Sequence, residues 1–99
     1  MLTHIVLLKF PNLDIAEQVQ QRLLAMDGQI PTLRSIEAGL DITHSGRSWD
    51  LALLTRFDDQ AGLDAYAVHP VHQKVLDFIG EHVTEWITGS RVDGLADLV

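Results

Sequence analysis

The stretch Tyr66-Ala-Val-His69-Pro70-Val-His72 holds the residues of this chain that are best suited to chemistry. Proline favours the first position of a helix, so Pro70 predicts a helix that begins there, with His69 as its capping residue and His72 at its third position. The positive end of the helix dipole and partial burial both disfavour the charged form of His72. A neutral imidazole is a suitable general base, and the phenol of Tyr66, on the preceding turn, can hydrogen-bond a substrate oxygen. The spacing therefore predicts acid–base catalysis that needs no cofactor.

The position of His72 on its helix also predicts a pocket. A helical wheel places His72 in the same apolar arc as Ile79 and Val83, so its ring is expected to face the interior between the helices and a sheet. His4, at the head of the first strand, could enter the same pocket. The candidate catalytic residues are therefore His72, Tyr66 and His4. A purely structural tyrosine–histidine pair at a helix start is the alternative interpretation.

A metal site is a further alternative, because His69 and His72 are three residues apart and His4 could supply a third ligand. However, the helix turns His69 roughly 60° away from His72, and no HExxH motif is present. No glycine-rich phosphate loop, nucleophile elbow or dinucleotide fingerprint is present either, and the chain has no cysteine. We therefore expect neither a metal nor an organic cofactor.

The other histidines and the tryptophans favour structural roles. His82 falls on the apolar arc of the long helix and is expected in the core or in an interface, whereas His44 is expected in a solvated loop. Trp49 and Trp86 are expected to anchor the core or an interface rather than to stack on a ligand.

Size and charge narrow the classes of function. The 99 residues are enough for one domain over residues 1–99 and too few for two. A formal net charge of −7 has the wrong sign for binding nucleic acid or an anionic membrane surface. No apolar stretch approaches the roughly 18 residues of a membrane span, and no secretory signal is visible. We expect a cytoplasmic protein.

The hydrophobic pattern indicates the order strand, helix, strand, strand, helix, strand. A capping box formed by Asp14 and Glu17 predicts the start of the first helix, and Gly28 in a left-handed conformation predicts its end. The predicted elements are strand His4–Phe10, helix Asp14–Gly28, strand Leu33–Ile42, strand Trp49–Phe57, a short helix capped by Asp58 and Asp59, the long helix Pro70–Gly89 and a final strand Ser90–Asp97.

This order predicts a βαββαβ fold, in which a four-stranded antiparallel sheet carries the helices on one face. The other face of the sheet is then uncovered. The first strand is apolar on both faces, and Leu51, Leu53 and Leu54 point both ways, so the uncovered face should be apolar too. A second copy of the sheet is the simplest cover, which predicts a homodimer formed through the sheet faces.

Five short segments together resemble the stress-responsive A/B barrel (Dabb) domain family. They are His4-Ile-Val-Leu-Leu-Lys9-Phe10, Ile30-Pro31, Glu37-Ala-Gly39, Asp50-Leu-Ala-Leu and Tyr66-x-x-His69-Pro70-x-His72. The resemblance implies a ferredoxin-like α+β fold that pairs into a dimeric α/β barrel. It covers nearly the whole chain but is weak over Glu81–Val99.

The resemblance also implies site residues. A polyketide cyclase of this family has a catalytic tyrosine and histidine that match Tyr66 and His72, and a first-strand histidine that matches His4. By that resemblance, His72 would abstract a proton in an aldol-type ring closure while Tyr66 holds the substrate.

Three functions follow as expectations. The first is a homodimer with a pocket for a small apolar carbonyl or phenolic ligand and no assigned activity. The second is a cofactor-free acid–base enzyme resembling a polyketide cyclase. The third is a cofactor-independent monooxygenase, which rests on the general analogy with dimeric α/β barrels.

Overall fold

A computed structural model describes residues 1–92 of the chain as an α+β fold. The elements, in order, are β1 (Leu2–Lys9), α1 (Leu13–Leu24), β2 (Ser35–Leu40), β3 (Leu51–Phe57), α2 (Gln60–Ala67), α3 (Pro70–His82) and β4 (Glu85–Val92). Within the described part of the chain, no helix is both long and apolar enough to cross a membrane.

The four strands form one antiparallel sheet, as the sequence predicts, and their order in the sheet is β2-β3-β1-β4. The first strand is central and pairs with β3 on one side and with β4 on the other, which places His4 opposite both Thr55 and Ser90. Because side chains alternate along a strand, the sheet has two distinct faces. The helix face carries His4, Val6 and their neighbours beneath the helices, and the open face carries the residues between them.

The start of α1 differs from the predicted capping box. Asn12 is the capping residue, since its backbone is extended and its side chain accepts a hydrogen bond of 2.9 Å from the Ile15 N–H. Asp14 lies inside the first turn, where its charge favours the helix dipole without capping it. The helix ends at Leu24, and Gly28 adopts the predicted left-handed conformation (φ 78°) in the turn that follows.

The second strand is shorter than predicted, because it ends at Leu40 although the apolar alternation of the sequence continues to Ile42. Asp41 accepts hydrogen bonds from the backbone N–H groups of Thr43 and His44, which bends the chain away from the sheet. Ile42 is therefore 90% exposed. His44 adopts a positive φ of 52° in this exposed loop, in agreement with the predicted solvated position.

The predicted long helix Pro70–Gly89 is wrong at its C-terminal end. The helix stops at His82, and Val83 is extended. Thr84 then donates its backbone N–H to the Lys9 carbonyl at 2.8 Å, and the chain continues as β4 beside β1. Pairing with the central strand outweighs the helical periodicity here. The predicted final strand begins five residues too late, and residues 93–97 of that prediction lie outside the described residues.

Candidate ligand-binding and catalytic site

A cavity of about 650 Å³ lies between the helices α2 and α3 and the helix face of the sheet. This volume falls in the range of about 300–1,000 Å³ that is usual for small-molecule sites. Its walls are mainly aliphatic and include Val6, Leu8, Leu53, Leu63, Val75, Ile79 and Val83. The side chains that bring polar atoms to the lining are His4, Asp64, Tyr66, His72, Trp86 and Thr88. The cavity therefore suits an apolar molecule with a few polar atoms.

The start of α3 positions His72 at the cavity. The His69 ring accepts a hydrogen bond of 3.1 Å at Nδ1 from the Val71 N–H and caps the helix. Pro70 occupies the first helical position, so His72 is the third residue, as the spacing predicts. His69 does not line the cavity, because its ring is committed to the cap.

The His72 ring is held in one orientation by the backbone. Its Nδ1 lies 3.0 Å from the Ala67 carbonyl oxygen, which can only accept, so Nδ1 carries the hydrogen of this bond. In the neutral ring, the lone pair then lies on Nε2. Burial lowers the pKa of His72, His69 lowers it further, and the bond to Ala67 opposes the shift. His72 is consequently neutral at pH 7, and its Nε2 can act as a base.

Tyr66 packs directly against His72. The two ring centroids are 4.1 Å apart, and Phe57 supports the other side of the phenol at 5.0 Å. Tyr66 is only 3% exposed, and burial raises the pKa of its hydroxyl, which stays protonated. Among residues 1–92, no group hydrogen-bonds this hydroxyl. Tyr66 can therefore donate a hydrogen bond to a molecule in the cavity.

His4 reaches the same cavity from the sheet. Its Nδ1 lies 2.6 Å from the Ser90 hydroxyl, and its Nε2 lies 3.2 Å from the Thr88 hydroxyl. Burial lowers the pKa of His4, and the nearby His72 lowers it further. The structure thus brings the three candidate residues to one cavity, His4 from β1, Tyr66 from α2 and His72 from α3.

Thr88 and Ser90 were not predicted as site residues. Their signal in the sequence is the alternation Trp86, Thr88, Ser90, which puts all three on one face of a strand. That alternation is hidden when Trp86 is assigned to the preceding helix. In the structure, Ser90 is the direct partner of His4 across the β1–β4 ladder.

The tryptophans and His82 lie in different surroundings. Trp86 is 63% exposed and lines the cavity, so it is not a core anchor. Trp49 is half-buried, with the Lys9 ammonium 5.2 Å from its ring centroid. His82 is half-buried beside Phe78, with a centroid separation of 4.7 Å, and does not line the cavity.

Metal-ligand geometry is absent from residues 1–92, where no three His, Cys, Asp or Glu side chains lie close enough together to hold an ion. The polar groups at the cavity are two neutral imidazoles, a phenol, a hydroxyl, the indole N–H of Trp86 and the carboxylate of the exposed Asp64. These groups can accept, donate and transfer protons.

The open face of the sheet is apolar at its centre and charged at its rim. Ile5, Leu7 and Leu54 are only half-buried, and Ile87 is 55% exposed. Two ion pairs border this apolar centre: Lys9 with Glu85 at 3.4 Å and Arg56 with Glu37 at 2.8 Å. Such a surface is typical of an interface with an apolar core and a polar rim.

A four-stranded antiparallel sheet with helices on one face defines the class of this protein, a ferredoxin-like α+β domain with a cavity between its helices and its sheet. The sequence model of the stress-responsive A/B barrel (Dabb) domain family matches residues 2–89, and the chain belongs to this family. The resemblance seen in the sequence is thereby confirmed.

Solved structures agree with this fold. A dimeric ferredoxin-like protein of unknown function from Bacteroides fragilis is 26% identical, with a TM-score of 0.81 over 91% of this chain and 93% of that one. A dimeric ferredoxin-like protein of unknown function from Thermobifida fusca is 25% identical, with a TM-score of 0.83 over 93% and 90%.

A protein described as an antibiotic biosynthesis monooxygenase is 16% identical, with a TM-score of 0.78 over 95% of this chain and 99% of that one. At this identity, the likeness concerns the fold alone. The comparison with curated proteins found no match.

Proposed function

We propose that this protein is a homodimer that binds a small apolar carbonyl or phenolic compound in its cavity and catalyses cofactor-free proton transfer on it. His72 is the general base, and Tyr66 is the hydrogen-bond donor to the substrate oxygen. One observation carries the proposal: the Nδ1–H of His72 is committed to the Ala67 carbonyl, which leaves the basic Nε2 in a cavity-lining ring.

The chemistry of the cavity supports the ligand class. Its walls are predominantly aliphatic, so a charged or strongly hydrated molecule would lose solvation without compensation. The donor and acceptor groups instead suit one or two neutral oxygens on an otherwise apolar body. Tyr66 is protonated because burial raises its pKa, so it can donate to a carbonyl oxygen and stabilise the charge that develops there.

The proposed step is the removal of a proton from a carbon next to a carbonyl group. His72 Nε2 takes the proton, the electron pair of the C–H bond moves into the enolate, and the enolate oxygen accepts the Tyr66 hydrogen bond. Return of a proton to the carbon regenerates the neutral imidazole. Attack of the enolate carbon on a second carbonyl of the same molecule would close a ring by an aldol reaction, in keeping with the cyclase-like residues Tyr66, His72 and His4.

The homodimer is supported by the two relatives at 25–26% identity, which are described as dimeric, and by the apolar centre of the open face. We place the interface on that face. Sedimentation velocity tests this part directly, because a monomer at micromolar concentration would contradict it.

The experiment for the catalytic part needs no natural substrate. The protein is incubated with 2-tetralone in D₂O, and replacement of the α-hydrogens by deuterium is followed by proton NMR. We expect exchange above the buffer rate, and a loss of about 10²–10⁴-fold in the His72→Ala variant. The His82→Ala variant is the matched control, since His82 lies on the same helix but outside the cavity.

Two outcomes would replace this proposal. Saturable binding of 2-tetralone without exchange would favour a ligand-binding protein with no proton-transfer activity. Equal exchange rates in wild type and His72→Ala would remove His72 from the mechanism. The monooxygenase alternative rests only on the fold that this chain shares with the protein described as an antibiotic biosynthesis monooxygenase. Oxygen consumption with a quinol substrate would be needed to support it.

A further inference from the structure

His4 differs from His72 in that both of its ring nitrogens lie within hydrogen-bond distance of a hydroxyl group. Nδ1 is 2.6 Å from Ser90 Oγ, and Nε2 is 3.2 Å from Thr88 Oγ1. A hydroxyl can donate or accept, so each of the two neutral tautomers of His4 can be satisfied by rotation of the two hydroxyl hydrogens. Among the residues that the structure describes, no carbonyl or carboxylate hydrogen-bonds His4 and selects one tautomer, as Ala67 does for His72.

These three side chains connect the cavity to the outer edge of the sheet. Thr88 and His4 line the cavity and Ser90 does not, and both Thr88 and Ser90 are exposed residues of the strand. Thr88 and Ser90 both belong to β4, which is an edge strand in the order β2-β3-β1-β4. The chain of groups therefore runs from a cavity-facing hydroxyl, through an imidazole, to a hydroxyl in contact with solvent.

We propose that Thr88, His4 and Ser90 form a proton relay between the cavity and solvent, in which Thr88 delivers the proton to the substrate and Ser90 and His4 resupply it. This inference rests on the proposed function, because it supplies the acid that accompanies the base His72. In the ring closure, the oxygen of the second carbonyl becomes an alkoxide and receives a proton from the relay, while the enolate oxygen has its hydrogen bond from Tyr66.

The transfer balances without a further reactant. Thr88 gives its hydroxyl proton to the substrate oxygen and receives the Nε2 proton of His4. His4 receives the Ser90 hydroxyl proton at Nδ1, and Ser90 receives a proton from water. His4 stays neutral and changes tautomer. In ring closure the carbon forms a new C–C bond and no proton returns to it, so the proton that His72 took passes to water, and one proton enters and one departs in each cycle.

The titratable groups around His4 favour a relay in which His4 stays neutral. The titratable groups from the packed helices that share its cavity are His72 on α3 and Tyr66 and Asp64 on α2. Burial and the proximity of His72 both disfavour protonated His4 and lower its pKa. Neutral tautomer exchange avoids the charged imidazolium that these neighbours oppose.

Nuclear magnetic resonance of protein labelled with ¹⁵N-histidine tests the relay without any substrate. It reports the tautomer of each histidine and the rate at which ring N–H protons exchange with water. We expect both His4 tautomers in the wild type. In Ser90→Ala, we expect at least a twofold change in the His4 tautomer ratio and at least a threefold slower exchange with water, with His72 unchanged.

Conservative variants separate positioning from simple stability. Ser90→Thr and Thr88→Ser keep the hydroxyls and should restore the wild-type tautomer ratio, whereas Thr88→Val should alter it. Ser35→Ala removes a hydroxyl from β2 on the open face and should leave His4 unchanged. Unchanged or faster exchange of His4 in Ser90→Ala would overturn the relay. Failure of the tetralone assay in wild type would instead reject the proposed function, whatever the NMR result.

Discussion

The two faces of the sheet are built from alternate residues of the same strands, yet they differ in chemistry. On β3, Leu53 is 4% exposed and lines the cavity, while its neighbour Leu54 points to the open face and is only half-buried. On β1, the helix face carries His4 at the cavity, while the open face carries Ile5. The difference teaches that one face supplies a cavity with transferable protons, whereas the other supplies the apolar area on which we place the proposed dimer interface.

Among the predicted changes, a charge introduced on the open face should have the largest effect, and this effect is on dimerisation. Leu54→Glu would place one carboxylate from each protomer into the proposed interface, beside Glu37, its ladder partner on β2. The new carboxylate would be a buried charge without a partner. An uncompensated buried charge, such as the one left when one partner of a buried ion pair is removed, costs roughly 3–5 kcal/mol. We therefore expect the dimer dissociation constant to rise by more than about 10³-fold, measured by sedimentation velocity over a concentration series.

Leu54→Ile is the control for this variant, because it changes the shape but not the polarity of the open face. The Leu54→Glu monomer should keep its circular dichroism spectrum, since the substituted side chain lies outside the helix-covered core. An unaltered dimer in Leu54→Glu would show that the protomers meet through another surface.

The adjacent position probes the other face. Leu53→Ala should lower the free energy of unfolding by about 2–3 kcal/mol, the lower part of the usual range for buried leucine, because the side chain already borders a cavity. Chemical denaturation measures this value, and the dimer should survive at high protein concentration. A smaller loss of stability from Leu53→Ala than from Leu54→Ala would reverse the assignment of the two faces.

Removal of the phenol oxygen should have a smaller effect that is confined to activity. Tyr66→Phe keeps the ring that packs between Phe57 and His72 and deletes the hydroxyl. We expect the 2-tetralone exchange rate to fall about tenfold, because a neutral hydrogen bond contributes up to about 1.5 kcal/mol. The melting temperature should change little. An unchanged exchange rate would mean that the Tyr66 hydroxyl does not meet the substrate oxygen.

Most of the fold follows from local patterns. The alternation of Leu51, Leu53, Thr55 and Phe57 predicts the buried face of β3, and all four residues are buried in the structure. The end of α3 could not be predicted in this way. The apolar spacing of Val83 and Trp86 fits a helix and gives no sign of β4, which forms by pairing with a strand more than seventy residues earlier.

The candidate site likewise has one part that local sequence predicts and one part that depends on long-range strand pairing. His69, Pro70 and His72 are close in sequence, so the capped helix start can be predicted from their types alone. The contact of His4 with Ser90 joins residues 86 positions apart and depends on the β1–β4 register. A histidine at the head of a strand indicates a polar group at that position, but only the register identifies its partner.

The smallest expected effect is on the pH dependence of the free energy of unfolding, to which the two cavity histidines of the helix face contribute. Burial lowers the pKa of both His72 and His4 on the helix face. In the unfolded chain, both histidines titrate near their ordinary value of about 6.5. Between that value and the lowered folded-state pKa, the unfolded chain binds more protons, so stability increases with pH. The contribution of the two neutral histidines to the free energy of unfolding is fully present above about pH 6.5. It is lost as the pH falls through the folded-state pKa.

The double variant His4→Gln/His72→Gln removes this contribution and leaves the open face untouched. Urea unfolding from pH 7.5 to pH 5 should show a steeper loss of stability in the wild type than in the double variant. His44→Gln should follow the wild-type curve, because His44 lies in an exposed loop away from the cavity. Parallel curves for the wild type and the double variant would mean that the helix face does not hold its two histidines neutral, and the division of chemistry between the faces would lose its electrostatic basis.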